Sequence, residues 1–155
     1  MVEILGIITE DFVNYKKPSM IIEFPRCSFK CGADKCQNYK LIKERVLSVD
    51  EEELIRKYYY ENHLTGAILF QGLEPFDSWV DLCKLMRAIR KYTDDEVVIW
   101  TGYEHSEISD YIKYLQKFPN IIVKFGRYRP ELPQRYDDIL GVTLASDNQY
   151  AIRIS

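Results

Sequence analysis

Apolar residues along the chain come in short unbroken runs closed by turn-forming residues, with amphipathic stretches between them. Residues 20–24 form one such run, ended by Pro25, and predict a buried strand. Residues 66–70 predict a second, ended by Gln71-Gly72-Leu73-Glu74-Pro75, and residues 96–100 a third, followed by Thr101-Gly102-Tyr103. Residues 120–124 predict a fourth and residues 150–154 a last one. Ser48 and Glu51 have the spacing of a capping box and open a predicted helix that runs to about His63. A second helix over residues 78–92 gathers Trp79, Leu82, Met86 and Ile89 on one face, and a third carries Ile108, Ile112 and Leu115. Continuous β-branched strands alternating with amphipathic helices belong to a mainly parallel sheet covered by helices. The expected class is α/β with about five strands, in a single domain over residues 1–155 with no internal repeat or linker. In parallel α/β folds, sites gather at the C-terminal ends of strands. Four consecutive strand ends here carry unusual residues: the cysteines, Gly-Leu-Glu-Pro, Thr-Gly-Tyr, and Lys124 with the Phe-Gly-Arg-Tyr that follows it.

Composition changes this picture mainly by exclusion. With 46% hydrophobic and 29% charged residues, the chain has an ordinary globular composition. No run approaches the ~18 consecutive apolar residues of a bilayer span. Residues 1–10 lack the basic start and small-residue cleavage site of a secretion signal. A cytoplasmic location is expected, where thiols stay reduced. The net charge of −3 points neither to nor away from nucleic acid, and neither a nucleic-acid nor a membrane partner is expected. Basic residues do concentrate locally: Arg26, Lys30, Lys35, Lys40, Lys43 and Arg45 surround the cysteines, against Asp34 and Glu44. Such a run suits a solvated face, the offsetting of a bound anionic group, or the steering of an acidic partner.

Cys27, Cys31 and Cys36 fall within ten residues. Reduced thiolates so concentrated read as a soft-metal site, for zinc or an iron–sulfur cluster. Structural zinc normally takes four protein ligands, and this loop supplies three. His63 and His105 lie elsewhere. Cys83 falls on the apolar side of the helix predicted over residues 78–92, where a free cysteine behaves as a small hydrophobe. Three thiolates without a fourth suit a cluster with one iron open to an outside ligand. A zinc-stabilised interaction module completed by Cys83 or a histidine is the competing reading.

Taken together, these motifs resemble those of the radical S-adenosylmethionine (SAM) superfamily, and more narrowly the small activating proteins of anaerobic (class III) ribonucleotide reductases. Cys36-Gln37-Asn38 matches the Cys-x-Asn that ends that family's cluster loop, and Gln71-Gly72-Leu73-Glu74-Pro75 stands where the family has Gly-Gly-Glu-Pro. Trp100-Thr101-Gly102-Tyr103 matches the turn after its third strand, and Ala145-Ser146-Asp147-Asn148-Gln149 resembles its C-terminal Ser-Ser-Asn-Gln. The resemblance spans residues 20–150. The sequence also departs from the pattern. Its cysteine spacing is x3 then x4 rather than x3 then x2, Lys35 replaces an aromatic before Cys36, and Leu73 is inserted in the glycine–glutamate turn.

The resemblance implies an open partial (βα) barrel of radical SAM type and a catalytic 4Fe–4S cluster bound by Cys27, Cys31 and Cys36. It further implies S-adenosylmethionine held on the fourth iron by its amino and carboxylate groups. Gly72 is expected to admit the methionyl end, Glu74 to accept from its ammonium, and Lys124 to meet its carboxylate. Backbone around Lys35 and Gln37 is expected to border the adenine, and Thr101 or Gly102 the adenosine. The implied activity is reductive cleavage of the sulfonium to a 5′-deoxyadenosyl radical. The implied partners are the large glycyl-radical subunit of an anaerobic ribonucleotide reductase and an electron donor such as a flavodoxin. A radical enzyme acting on a small molecule such as a nucleotide derivative is the alternative.

Overall fold

The computed structural model describes residues 1–28 and 38–155. In chain order the first elements are β1 (Val2–Ile4), β2 (Gly6–Asp11), β3 (Ser19–Phe24), β4 (Leu47–Val49) and α1 (Glu51–Ile55). Then come β5 (Ala67–Gly72), α2 (Trp79–Tyr92), β6 (Glu96–Trp100), α3 (Ser109–Leu115) and β7 (Ile121–Phe125). Three short strands close the chain: β8 (Arg135–Asp137), β9 (Val142–Leu144) and β10 (Tyr150–Arg153).

The fold is mixed α/β around a mixed six-stranded sheet in the order β10-β7-β6-β5-β3-β2. The central strands β3, β5, β6 and β7 are parallel, and β2 and β10 pair antiparallel at the two edges. Among the described residues the edges do not pair with each other, so the sheet is open. Each expected strand is present, the second extended to Gly72. The N-terminal strands and the β8–β9 hairpin are additions to the sequence reading. They are three residues long or, in β2, polar and exposed through Thr9 and Glu10. Such segments carry no apolar run to read.

Side-chain alternation along the strands divides the core. Met20, Ile22 and Phe24 face one way and pack, with their counterparts on β5 to β7, against Leu54, Leu82, Met86 and Ile112 of the helices. Ile21, Leu69, Val98 and Ile122 face the other way, where Tyr15, Leu140 and Leu144 cover them. Helices therefore cover one face of the sheet, and loop and hairpin residues the other. The expectation of a sheet covered by helices did not say which face they take, and the helix-free face leaves room for a cavity.

The start of α1 also differs from the sequence reading. Asp50 is the cap, its side chain accepting from the Glu53 N–H at 2.8 Å. Ser48 is instead paired with Glu3 in the β1–β4 bridge, so its backbone is committed to a strand. Helix α2 begins within one residue of expectation and buries Leu82, Met86 and Ile89. Cys83 is buried in the same helix, and desolvation pushes its thiol pKa up to about 11.

Gly72 ends β5 with φ of +90°, and a Cβ added there would lie 2.6 Å from the Phe24 nitrogen and 2.8 Å from the Phe24 oxygen. The adjoining backbone of β3 is what excludes a side chain, through both conformation and contact. Gly72→Ala is expected to destabilise the protein by about 3 kcal/mol, from the positive φ and the forced separation of β3 and β5 together. A lower urea midpoint with unchanged slope would register it.

Candidate functional site

The C-terminal ends of the parallel strands open onto a cavity of about 390 Å³ on the helix-free face. Among the side chains of the parallel strands, those of Glu23, Gln71, Trp100 and Lys124 reach it, and they have the same parity as the smaller core cluster. Cys27, Gly72, Glu74, Thr101, Gly102 and Lys124 all line it. Six residues singled out from four separate strand ends are thus brought together. Cys31, Lys35, Cys36 and Gln37 lie outside the described residues.

Glu74 lines the cavity and is only 6% exposed. Its Oε1 accepts from the Thr101 hydroxyl at 2.8 Å and the Phe76 N–H at 3.1 Å, and its Oε2 accepts from the Gly102 N–H at 2.9 Å. Desolvation pushes its pKa up to about 7, opposed by these three hydrogen bonds and aided by the nearby Asp77 charge. A carboxylate has about four acceptor positions. Among the described residues, three are filled and one is left for a ligand.

Lys124 is the complementary group. It is buried, its Nζ donates to the Thr101 carbonyl at 3.3 Å and the Gly126 carbonyl at 3.1 Å, and it lies 5.5 Å from the centroid of the Trp100 ring. Desolvation brings its pKa down to about 8, while the charges of Glu74 and Glu104 act in the opposite sense. An ammonium has three donors, so one remains beyond the two bonds made to described residues. The Trp100 indole Nε1 is buried without a partner among them. An orphaned buried donor on the wall of a cavity is a position where a ligand acceptor can bind.

The other motifs hold this arrangement. Asn38, which ends the cysteine loop, donates from Nδ2 to the Gly72 carbonyl at 2.9 Å. Asn148 donates from Nδ2 to the Arg127 carbonyl at 2.7 Å, and Gln149 from Nε2 to the Gly126 carbonyl at 3.3 Å. The C-terminal motif therefore secures the segment that follows β7. Thr101 and Gly102, expected at the adenosine, spend their side-chain hydroxyl and backbone N–H on Glu74. The strand-end positions of Glu23 and Trp100 were legible, but their roles in lining the cavity were not. Glu23 stood inside a run read as buried strand.

The Glu74 proton links stability to pH. Its folded pKa of about 7 lies above the ordinary value of 4.5, so the folded form binds the proton more tightly. Its contribution is full below pH 4.5 and is lost as the pH rises through about 7. Relative to Glu74→Gln, the wild type is expected to lose about 3 kcal/mol between pH 4 and pH 8. Urea melts of both apo-proteins across that range would measure it.

Cys27, three residues beyond the end of β3, lines the same cavity as Glu74 and Lys124. Among the described residues no group of three or more His, Cys, Asp and Glu side chains is gathered to hold a metal. Cys27 is therefore the described member of the expected thiolate set. A family model for a 4Fe-4S single cluster domain matches residues 20–150. The chain belongs to the 4Fe-4S single cluster domain family. No curated protein and no solved structure matches it. As a 4Fe-4S domain protein it takes the iron–sulfur side of the choice between a cluster and zinc, and membership is compatible with redox enzyme activity. Among the described residues no helix is long and apolar enough to cross a membrane.

Proposed function

We propose that this 4Fe-4S domain protein cleaves S-adenosylmethionine reductively to methionine and a 5′-deoxyadenosyl radical, and that the radical abstracts a hydrogen atom from a glycine of an anaerobic ribonucleotide reductase. The observation that carries the reading is the pairing of two buried groups of opposite charge in one cavity beside Cys27. Glu74 has one acceptor position left and Lys124 one donor, among the described residues. That is the complement of an amino-acid zwitterion, an ammonium for the first and a carboxylate for the second. The cavity volume of about 390 Å³ falls within the range of small-molecule sites.

In this reading Cys27, Cys31 and Cys36 hold the cluster, which supplies one electron to the sulfonium when bound. The protein's own residues bind and orient. Glu74 takes the ammonium, Lys124 the carboxylate, and the Trp100 indole N–H an acceptor of the same ligand. The fold is then an open partial (βα) barrel of radical SAM type whose helix-free face meets the reductase. An electron donor such as a flavodoxin would reach the basic surface around Lys40, Lys43 and Arg45.

The test is to mix reconstituted protein, S-adenosylmethionine and reductant with a candidate reductase under anaerobic conditions. A glycyl-radical doublet in the electron paramagnetic resonance spectrum is the expected result. No doublet, with 5′-deoxyadenosine formed no faster than in a control without the reductase, would instead favour a small-molecule substrate.

A further inference from the structure

Both peptide neighbours of Cys27 are pinned by one short turn. The Glu74 N–H donates to the Arg26 carbonyl at 2.7 Å. On the other side, the Ser28 N–H donates to Oδ2 of Asp77 at 2.7 Å, across 49 residues of sequence. Asp77 lies in the 3-10 turn Pro75–Ser78 that directly follows Glu74. Its second oxygen, Oδ1, accepts from the Tyr103 hydroxyl at 2.6 Å, and the Ser28 Oγ is 3.4 Å from that hydroxyl.

Tyr103 is itself anchored. Its N–H donates to the Thr101 Oγ1 at 3.0 Å, and the Arg127 guanidinium lies 5.6 Å from its ring centroid. Arg127 is held in turn by Glu107 at 2.8 and 2.9 Å. Because Thr101 Oγ1 donates onward to Glu74, the bonds close a ring: Ser28 to Asp77, Asp77 to Tyr103, Tyr103 to Thr101, Thr101 to Glu74, Glu74 to Arg26. Cys27 is the residue enclosed.

We infer that Asp77 is the positioning residue for Cys27, fixing the peptide on the loop side of that cysteine so that its sulfur keeps its place relative to the Glu74 carboxylate. The inference rests on Cys27 being a cluster ligand and is independent of the reaction proposed above. Two features make Asp77 suited to the task. Both its oxygens are engaged in short bonds, and bonds to a carboxylate are roughly twice as strong as neutral ones. It also holds the peptide on the loop side of Cys27 and joins it to Tyr103 beyond β6, whereas Glu74 holds the peptide on the β3 side. Partners of this kind, one step removed from a metal, orient the ligand and slow the loss of the metal.

The experiment compares reconstituted wild type, Asp77→Ala, Asp77→Asn and Tyr103→Phe. The measurements are iron release to a chelator, the electron paramagnetic resonance of the dithionite-reduced cluster, and the melting temperature of each apo-protein. Asp77→Ala is expected to release iron about ten- to a hundredfold faster than wild type. Asp77→Asn, which keeps one carbonyl acceptor for Ser28, should fall between, and Tyr103→Phe should be mildest. The resonance should shift in both Asp77 variants, while apo-protein melting stays within about 3 °C.

Wild-type iron release with an unchanged resonance in Asp77→Ala would overturn the inference. So would faster release matched by an equivalent fall in apo-protein melting temperature. If the alanine variant does not fold, Asp77→Asn gives the same test. A Cys27→Ala protein that keeps its full cluster removes the underlying ligand reading. A cluster-free Cys27→Ala protein beside a wild-type-like Asp77→Ala defeats the inference alone.

Discussion

Replacing Cys27, Cys31 or Cys36 singly by alanine is expected to bring the iron content of the reconstituted protein from about four atoms per chain to near zero. Cys83→Ala should leave it unchanged. The contrast follows from environment. A metal takes the thiolate, so a ligand cysteine needs surroundings that tolerate its charge. Cys27 stands at the edge of a cavity at a strand end, half-buried and beside polar backbone. Cys83 is buried in α2, its pKa pushed up to about 11, and does not line the cavity. Its replacement should cost about 1 kcal/mol of packing and nothing in iron. Colorimetric iron and sulfide assays after anaerobic reconstitution make the comparison. Equal loss in all four variants would show that the ligand set has been misassigned.

Nearly as large an effect is expected at the two buried charges. Glu74→Gln and Lys124→Met should each weaken S-adenosylmethionine binding by about 3 kcal/mol, on the order of a hundredfold, with the cluster still in place. The reason lies in burial. Each group is held by the protein's own hydrogen bonds with one position to spare, so a ligand charge placed there pairs in a site of low dielectric. Removing one protein charge leaves the matching ligand charge desolvated and unpaired. Equilibrium dialysis of the oxidised, cluster-loaded variants measures this without turnover. Wild-type affinity in both variants would mean that the cavity does not bind the amino-acid end of the ligand.

The elements that carry the site were legible because each is a local signal. An apolar run closed by an odd residue marks a strand end, and Cys27, Glu74, Thr101 and Lys124 were found in that way. Their convergence followed from parallel topology alone. Asp77 was not found. In sequence it is an acid in a turn, and only the fold brings it to Ser28 and Tyr103. The reason for glycine at position 72 was also hidden. Its expected role was close approach to a ligand, whereas a Cβ there would strike the backbone of Phe24. The capping box at Ser48 misled because the same residue pairs in a short bridge with β1, a contact that local spacing does not encode. The cover of the helix-free face was not found because it comes from Tyr15, Leu140 and Leu144, scattered residues without periodicity.

The most direct measurement is product analysis of the reconstituted protein with S-adenosylmethionine and dithionite, in the absence of any partner. The account predicts 5′-deoxyadenosine and methionine in equal amounts, the radical taking its hydrogen atom from buffer or reductant in place of the absent glycine. Both products should form only when reductant is present and be lost in Cys27→Ala. A protein that holds a full, reducible 4Fe–4S cluster yet releases neither product would contradict it.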